Sequence, residues 1–280
     1  MKKIAFLAIA MSALLGLSAC GKQLTTSKTT YKATGMVAVI KGEASGKTVK
    51  YQAPTGNGTS KVNSGSYVVT VPMSNQKQTV KLSSDGQKKT VTVKAAKSIG
   101  DYKTISAKYN QAIVAMALPK SVQTQLAAAQ KAGTSAVASM TPAQKVAYAK
   151  QQQALQAAMV KAQQATKDSQ LPTSTDGLKQ VLSTNGGKLR LNVQNGQLIA
   201  ITDVVSVKAM KNKKAKTAFG TQFGLLANAT GADAKKVGKA FTKAIKDAGS
   251  GSTTIDTITS NGVKFNIGLS TTDLYIYITK

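Results

Sequence analysis

The chain has 280 residues, 38 of them Lys or Arg against 10 Asp or Glu, for a formal net charge of +28, with no His, no Trp and one Cys. This composition excludes Ser-His-Asp and Cys-His catalytic machinery and imidazole-ligated metal sites, and a single Cys excludes a disulfide within the chain. The length allows a multidomain protein, and the positive charge draws the chain to anions.

The chain opens Met1, Lys2, Lys3 and then runs apolar from Ile4 to Leu17. A short basic start before an apolar stretch marks a secretory signal. The stretch is too short to span a membrane, which takes ~20 apolar residues. It ends Leu17-Ser18-Ala19-Cys20-Gly21: an aliphatic residue, two small residues, then the only Cys.

Those four residues resemble the lipobox of bacterial lipoproteins, and the resemblance covers residues 1–21. It implies that residues 1–19 are a signal peptide, removed from the body. It implies that the Cys20 thiol carries a diacylglycerol, with no other cofactor expected, and that the body is anchored on the extracellular face of the cell membrane. Lipid contributes ~0.8 kcal/mol per buried CH₂, so two acyl chains hold firmly where one holds marginally. Residues 20–33, rich in Thr and Lys without periodicity, are expected to be the lipidated Cys and a flexible tether.

Residues 34–98 carry strand signals. Met36 to Ile40 and Thr48 to Ala53 are β-rich, and Pro54 to Ser66 is rich in turn residues. Tyr67, Val69 and Val71 alternate with Val68 and Thr70, and two alternating runs flank Asp85-Gly86, a hairpin signature. Five short strands suggest an all-β sandwich, which resembles bacterial immunoglobulin-like domains in its pattern. Two look-alike motifs fall here. Gly42 to Thr48 is one residue short of a phosphate loop and has no helix after it. Ser74-x-x-Lys77 follows Pro72 in a turn, without the Lys-Thr-Gly of penicillin-binding enzymes.

Residues 99–170 change to helical signals. Tyr102, Ile105, Tyr109, Ile113 and Met116 share one helical face, and Pro119 ends that helix. Residues 121–168 are rich in Ala and Gln. Thr141-Pro142-Ala143-Gln144 is a helix start with N-cap, Pro and capping-box residue in place. Tyr148, Leu155, Met159 and Ala162 form a thin stripe, expected to pack as a helical hairpin on the protein itself, with a coiled coil as the other reading.

Residues 171–280 read as an α+β unit, an antiparallel sheet with helices on one face. A short helix is expected from about Asp176 to Leu182, then a hairpin turning at Asn195-Gly196. Two helices follow over about Lys213 to Asn228 and Asp233 to Ala248, and three strands over Ile255 to Ser260, Val263 to Leu269 and Leu274 to Ile278. In the second helix Val237, Phe241 and Ile245 face one side and lysines the rest. This suits a helix covering a sheet, and also one lying on a membrane. Tyr275 and Tyr277 share the opposite face from Leu274 and Ile276, as a ligand platform or as packing under a second element.

The basic residues are all Lys except Arg190, and they are spread over the whole chain. Lys is a diffuse point charge without the planar fork of Arg, which suits attraction to phosphate-rich polymers better than base readout. An exported protein is therefore not expected to bind nucleic acid. The expected partners are membrane lipid through the anchor, and an anionic wall polymer such as teichoic acid or another envelope protein. The densest run, Lys208, Lys211, Lys213, Lys214 and Lys216, is the candidate anion-binding patch and reads equally as a solvated face. The Lys bias and sparse aromatics resemble surface lipoproteins of Gram-positive, lactic-acid-type bacteria. The favoured reading is a non-catalytic binding or structural protein of the cell envelope. A small-ligand receptor or transporter accessory lipoprotein is the alternative, and an enzyme using Ser, Lys or Asp stands third.

Overall fold

A computed structural model describes residues 21–132, 140–249 and 255–280. The lipobox residues Leu17, Ser18, Ala19 and Cys20 lie outside them. Among the described residues the chain forms 14 strands and five α-helices, a mixed fold with a sandwich-like β arrangement in its first part.

The first unit holds β1 (Thr30–Tyr31), β2 (Val37–Glu43), β3 (Thr48–Ala53), β4 (Gly56–Lys61), β5 (Ser66–Pro72), β6 (Gln78–Ser84) and β7 (Gln87–Val93). Five of them form a sheet ordered β1-β7-β6-β3-β4, and β2 pairs with β5. Period-two alternation drives the packing. In β5, Tyr67, Val69 and Val71 are buried while Val68 and Thr70 point out. They meet Ile40, Val49, Val80, Leu82, Val91 and Val93 in one core. Burying each large aliphatic side chain contributes roughly 1.5–3 kcal/mol. The Asp85-Gly86 turn takes positive φ at both residues, 52° and 85°, the geometry that matches the twist of a hairpin.

The segment expected to be a tether is instead bound to this unit from Gln23 onward. Thr25 N donates to Glu43 O at 2.8 Å, Ser27 N donates to Lys41 O at 2.9 Å, and β1 runs parallel to β7. The Tyr67 hydroxyl donates to Thr25 O at 2.7 Å. The physical reason is an open edge: β2 belongs to a two-stranded sheet, and its free backbone groups are satisfied by this stretch. Gly42 permits it, because the carbonyl of Thr25 occupies the space a Cβ would take.

The helices expected over 99–170 form, and the first of them packs into the core of the C-terminal unit. After β8 (Gly100–Asp101) comes α1 (Tyr102–Ala117), capped by Asp101, whose carboxylate accepts from Thr104 N at 2.8 Å. Hydrogen bonds from the Thr104 side chain and backbone hold the Asp101 carboxyl below its usual value. Tyr102, Ile105 and Tyr109 are buried as expected. The stripe then departs from expectation: Met116 is 57 % exposed, and Val114 and Leu118 turn inward. They face Ala162 of α3 (Pro142–Thr166) and Leu126 of α2 (Lys120–Ala132). The capping box at Thr141 and Gln144 is present. The hairpin reading holds for the end of α3, whereas most of residues 142–157 is exposed.

The last unit contains β9 (Gly177–Thr184), β10 (Gly187–Gln194), β11 (Gln197–Ser206), α4 (Lys213–Ala229), α5 (Ala234–Gly249), β12 (Ile258–Ser260), β13 (Val263–Leu269) and β14 (Asp273–Thr279). The helix expected over 176–182 is a strand, β9. Leu178 and Leu182 have helical spacing, but the Asn185-Gly186 turn folds the segment back along β10 as a tight hairpin, and that cross-strand pairing overrides the helical preference. The sheet runs β12-β13-β14-β11-β10-β9, with β8 also on β11. Phe219, Phe223, Phe241 and Phe265 meet over it with ring centroids 5.0–5.8 Å apart. Val237 and Phe241 place the apolar face of α5 in this core, so that helix covers the sheet.

β11 is buried on both faces. Leu198 and Ile201 face the helices, while Ile199 and Ala200 meet Met36 and Met73 of the first unit. Asn192 Nδ2 and Gln194 Nε2 each donate to Met73 O at 2.8 Å. Tyr277 stacks on Tyr275, rings 6.3 Å apart and 8° from parallel, and its ring lies 3.0 Å from where a Gly35 Cβ would sit. Tyr277 therefore packs beneath the first unit.

Candidate anion-binding surface

The candidate patch lies at the start of α4. Lys208 precedes the 3₁₀ turn Ala209–Lys211, Lys211 ends it, and Lys213, Lys214 and Lys216 fall in the first helical turn. All five are exposed. The Asn212 carboxamide caps the helix, accepting from Lys214 N at 2.9 Å and Ala215 N at 3.1 Å. Five cations surround the positive end of a helix dipole, where cations are unfavourable. No acidic residue lies in the chain between Asp203 and Asp233.

A second basic surface escaped sequence reasoning. The outward side of the five-stranded sheet carries Lys50 on β3, Lys81 on β6 and Lys88 on β7. Pairing sets them side by side: Lys50 opposite Ser83, Gln52 opposite Lys81, Ser83 opposite Lys88 and Lys81 opposite Thr90. With Lys89 at the rim they line a shallow depression of about 560 Å³. Neighbouring strands lie about 4.8 Å apart, so ammonium groups, hydroxyls and one carboxamide alternate across a flat face at the scale of a single phosphate. The only acids in residues 21–98 are Glu43 and Asp85. Asp85 sits at the hairpin tip, 3.8 Å from Lys22. The face is thus uncompensated by its own unit. Its signal in the sequence was weak: Lys81 between buried Val80 and Leu82 has to point outward, but β3 is distant in the chain from the β6–β7 hairpin that carries the other lysines.

The strongest electrostatic perturbation is elsewhere. Asp203 on β11 is fully buried, and its Oδ1 accepts from Gln222 Nε2 at 3.0 Å. Gln222 Oε1 accepts from Thr184 Oγ1 at 3.0 Å. Asp203 Oδ2 has no partner among the described residues. Burial pushes the carboxyl up to about 7 against the pull of the Gln222 hydrogen bond. Burial, and the nearness of Asp203, push the Tyr109 phenol up as well. Gly187, at φ +134°, leaves the space, since a Cβ there would lie 2.6 Å from Asp203 Oδ1. This cluster ties α4 to the sheet in a sealed core.

Among the described residues, no three His, Cys, Asp or Glu side chains come together as metal ligands, and no helix is long and apolar enough to cross a membrane. The Gly42–Thr48 look-alike joins β2 to β3, and Ser74 and Lys77 lie between β5 and β6.

No protein-family model matches this chain, and no curated protein matches its sequence.

Proposed function

We propose that the chain is a lipid-anchored protein on the outer face of a bacterial cell membrane, binding an anionic wall polymer without catalysing a reaction. The observation that carries this reading is the flat face of Lys50, Lys81 and Lys88, which has no carboxylate beside it in its own sheet ladder to neutralise it. Lysines held close together repel one another, so an uncompensated cluster favours a polyanion over solvent. A linear phosphodiester polymer presents repeated single charges with hydroxyls between them, and the alternation of Lys with Ser and Thr on the face matches that chemistry. The Lys208–Lys216 run is a second contact for the same class of ligand.

The lipobox Leu17-Ser18-Ala19-Cys20 supports the anchor. The first unit follows it directly and stands nearest the membrane. The immunoglobulin-like character expected of residues 34–98 belongs to the same proposal, and rests on facing sheets that share the core of Ile40, Val69 and Val80.

The test is co-sedimentation of the 21–280 chain with purified Gram-positive cell wall, before and after acid extraction of its phosphopolymers. Binding that disappears with the polymer supports the reading. Binding that survives extraction, or that occurs only to anionic lipid vesicles, contradicts it.

A further inference from the structure

Where the two units meet, the connection between β5 and β6 faces the start of β9 and the β10–β11 turn across a cleft of about 630 Å³. The cleft differs in chemistry from the rest of the molecule. No Lys or Arg lines it, although 38 of the 280 residues are basic. Asn75 and Gln76 stand on one wall, and Asp176 and Asn195 on the other. The side chains of these four make no hydrogen bond among the described residues. Leu178, 41 % exposed, supplies an apolar edge.

We infer that this cleft binds a neutral, hydroxyl-rich ligand of the oligosaccharide class. The reasoning is by donor and acceptor type. A carboxamide both donates and accepts, and a carboxylate only accepts. A sugar hydroxyl does both, so pairs of neighbouring hydroxyls match amides and a carboxylate together. An anion finds no cation here and meets the charge of Asp176. A divalent cation finds a single carboxylate where it needs several oxygens with more charge. Leu178 offers a surface for the C–H face of a sugar ring. The walls are held in place beforehand: Asn192 and Gln194, which also line the cleft, are committed to the Met73 carbonyl at 2.8 Å each. With the backbone of both walls fixed in this way, the ordering cost of binding falls on the four free side chains alone, and junctions between domains are where such pockets concentrate.

This site is separate from the lysine face, and its test separates the two. The intact chain is purified in a zwitterionic detergent without a sugar headgroup. It is titrated calorimetrically with maltotriose, cellotriose, chitotriose and mannotriose. At least one is expected to bind, with an affinity that changes less than about twofold between about 50 and about 500 mM NaCl, because no charge pairing is involved. Asp176→Ala and Gln76→Ala, both exposed positions, are each expected to weaken it about tenfold, the loss of one or two hydrogen bonds, with the thermal unfolding midpoint unchanged. Replacing Lys50, Lys81 and Lys88 by Ser is expected to leave sugar binding intact. The inference is overturned if none of the four binds at about 5 mM, a weak-site concentration. It is equally overturned if binding survives both single substitutions or is abolished by salt.

Discussion

Asn192 on β10 and Met73, the residue after β5, are joined by a 2.8 Å hydrogen bond from the Asn192 carboxamide to the Met73 carbonyl, in a site where Asn192 has no exposed surface. The two residues are 119 positions apart in the chain, and the bond fastens the first β unit to the back of the C-terminal sheet. Asn192→Ala removes a buried donor and opens a small void. Gln194 still donates to the Met73 carbonyl, so we expect a loss of about 1–2 kcal/mol, one buried hydrogen bond and the small void. Chemical denaturation is expected to split from one transition into two as the units uncouple. A single transition with an unchanged midpoint would mean that the Gln194 bond to the Met73 carbonyl, with Met36, Met73 and Ile199, is enough to hold the junction.

Asp203 makes stability depend on pH. Its folded carboxyl titrates near 7, against an ordinary value of 3.8, so the folded state holds the proton more tightly than the unfolded one. The stabilisation is full below 3.8, declines as pH rises, and is lost as pH passes through about 7. Asp203→Asn keeps the oxygen that accepts from Gln222 but cannot ionise. Thermal unfolding from pH 5 to pH 8 is expected to show the variant gaining on the wild type as pH rises. Parallel curves would mean that Asp203 has an ordinary pKa.

Gly42 is the position where residues 23–27 press against β2. Gly42→Ala places a methyl group against the Thr25 carbonyl, so the segment has to move. A cost of about 1–3 kcal/mol is expected, as for other overpacked sites. Limited proteolysis is expected to cut near Thr25 and Ser27 in the variant and not in the wild type. Equal resistance of both would show that the segment accommodates the methyl in place.

The signals that could be read from the sequence were local. Asp85-Gly86, Asn195-Gly196 and Asn261-Gly262 each name a two-residue turn, and each adopts positive φ at both positions. The strands on either side followed from alternation. β9 carries Leu178 and Leu182 at helical spacing, which masks the Asn185-Gly186 turn that folds it onto the adjacent β10 as a hairpin. The other features that could not be read depend on partners far along the chain. Residues 23–31 have no apolar pattern, and bind through backbone groups that no side-chain pattern reports. The lysine face and the Asn192 junction exist only once β3, β6 and β7, or β5 and β10, are brought together. The Lys208–Lys216 run was visible for the opposite reason, being contiguous in sequence.

The proposed anchor makes a chemical prediction. Mass spectrometry of the membrane fraction is expected to find the mature chain beginning at Cys20 with a diacylglycerol on its sulfur. Cys20→Ser (C20S) is expected to leave residues 1–19 uncleaved by the lipoprotein route and the chain without lipid. An unmodified Cys20 in native material would remove the proposed location.

The most direct test of the central claim is the affinity of the 21–280 chain for purified polyglycerol phosphate across a salt series, compared with a variant in which Lys50, Lys81 and Lys88 are replaced by Ser. Each lysine near an anionic surface contributes roughly 1 kcal/mol, so the triple substitution is expected to weaken binding about 100-fold at low salt. Wild-type binding is expected to fall steeply as salt rises. Binding that is indifferent to salt, or that is unchanged in the triple variant, would contradict a role for this face in holding a polyanion.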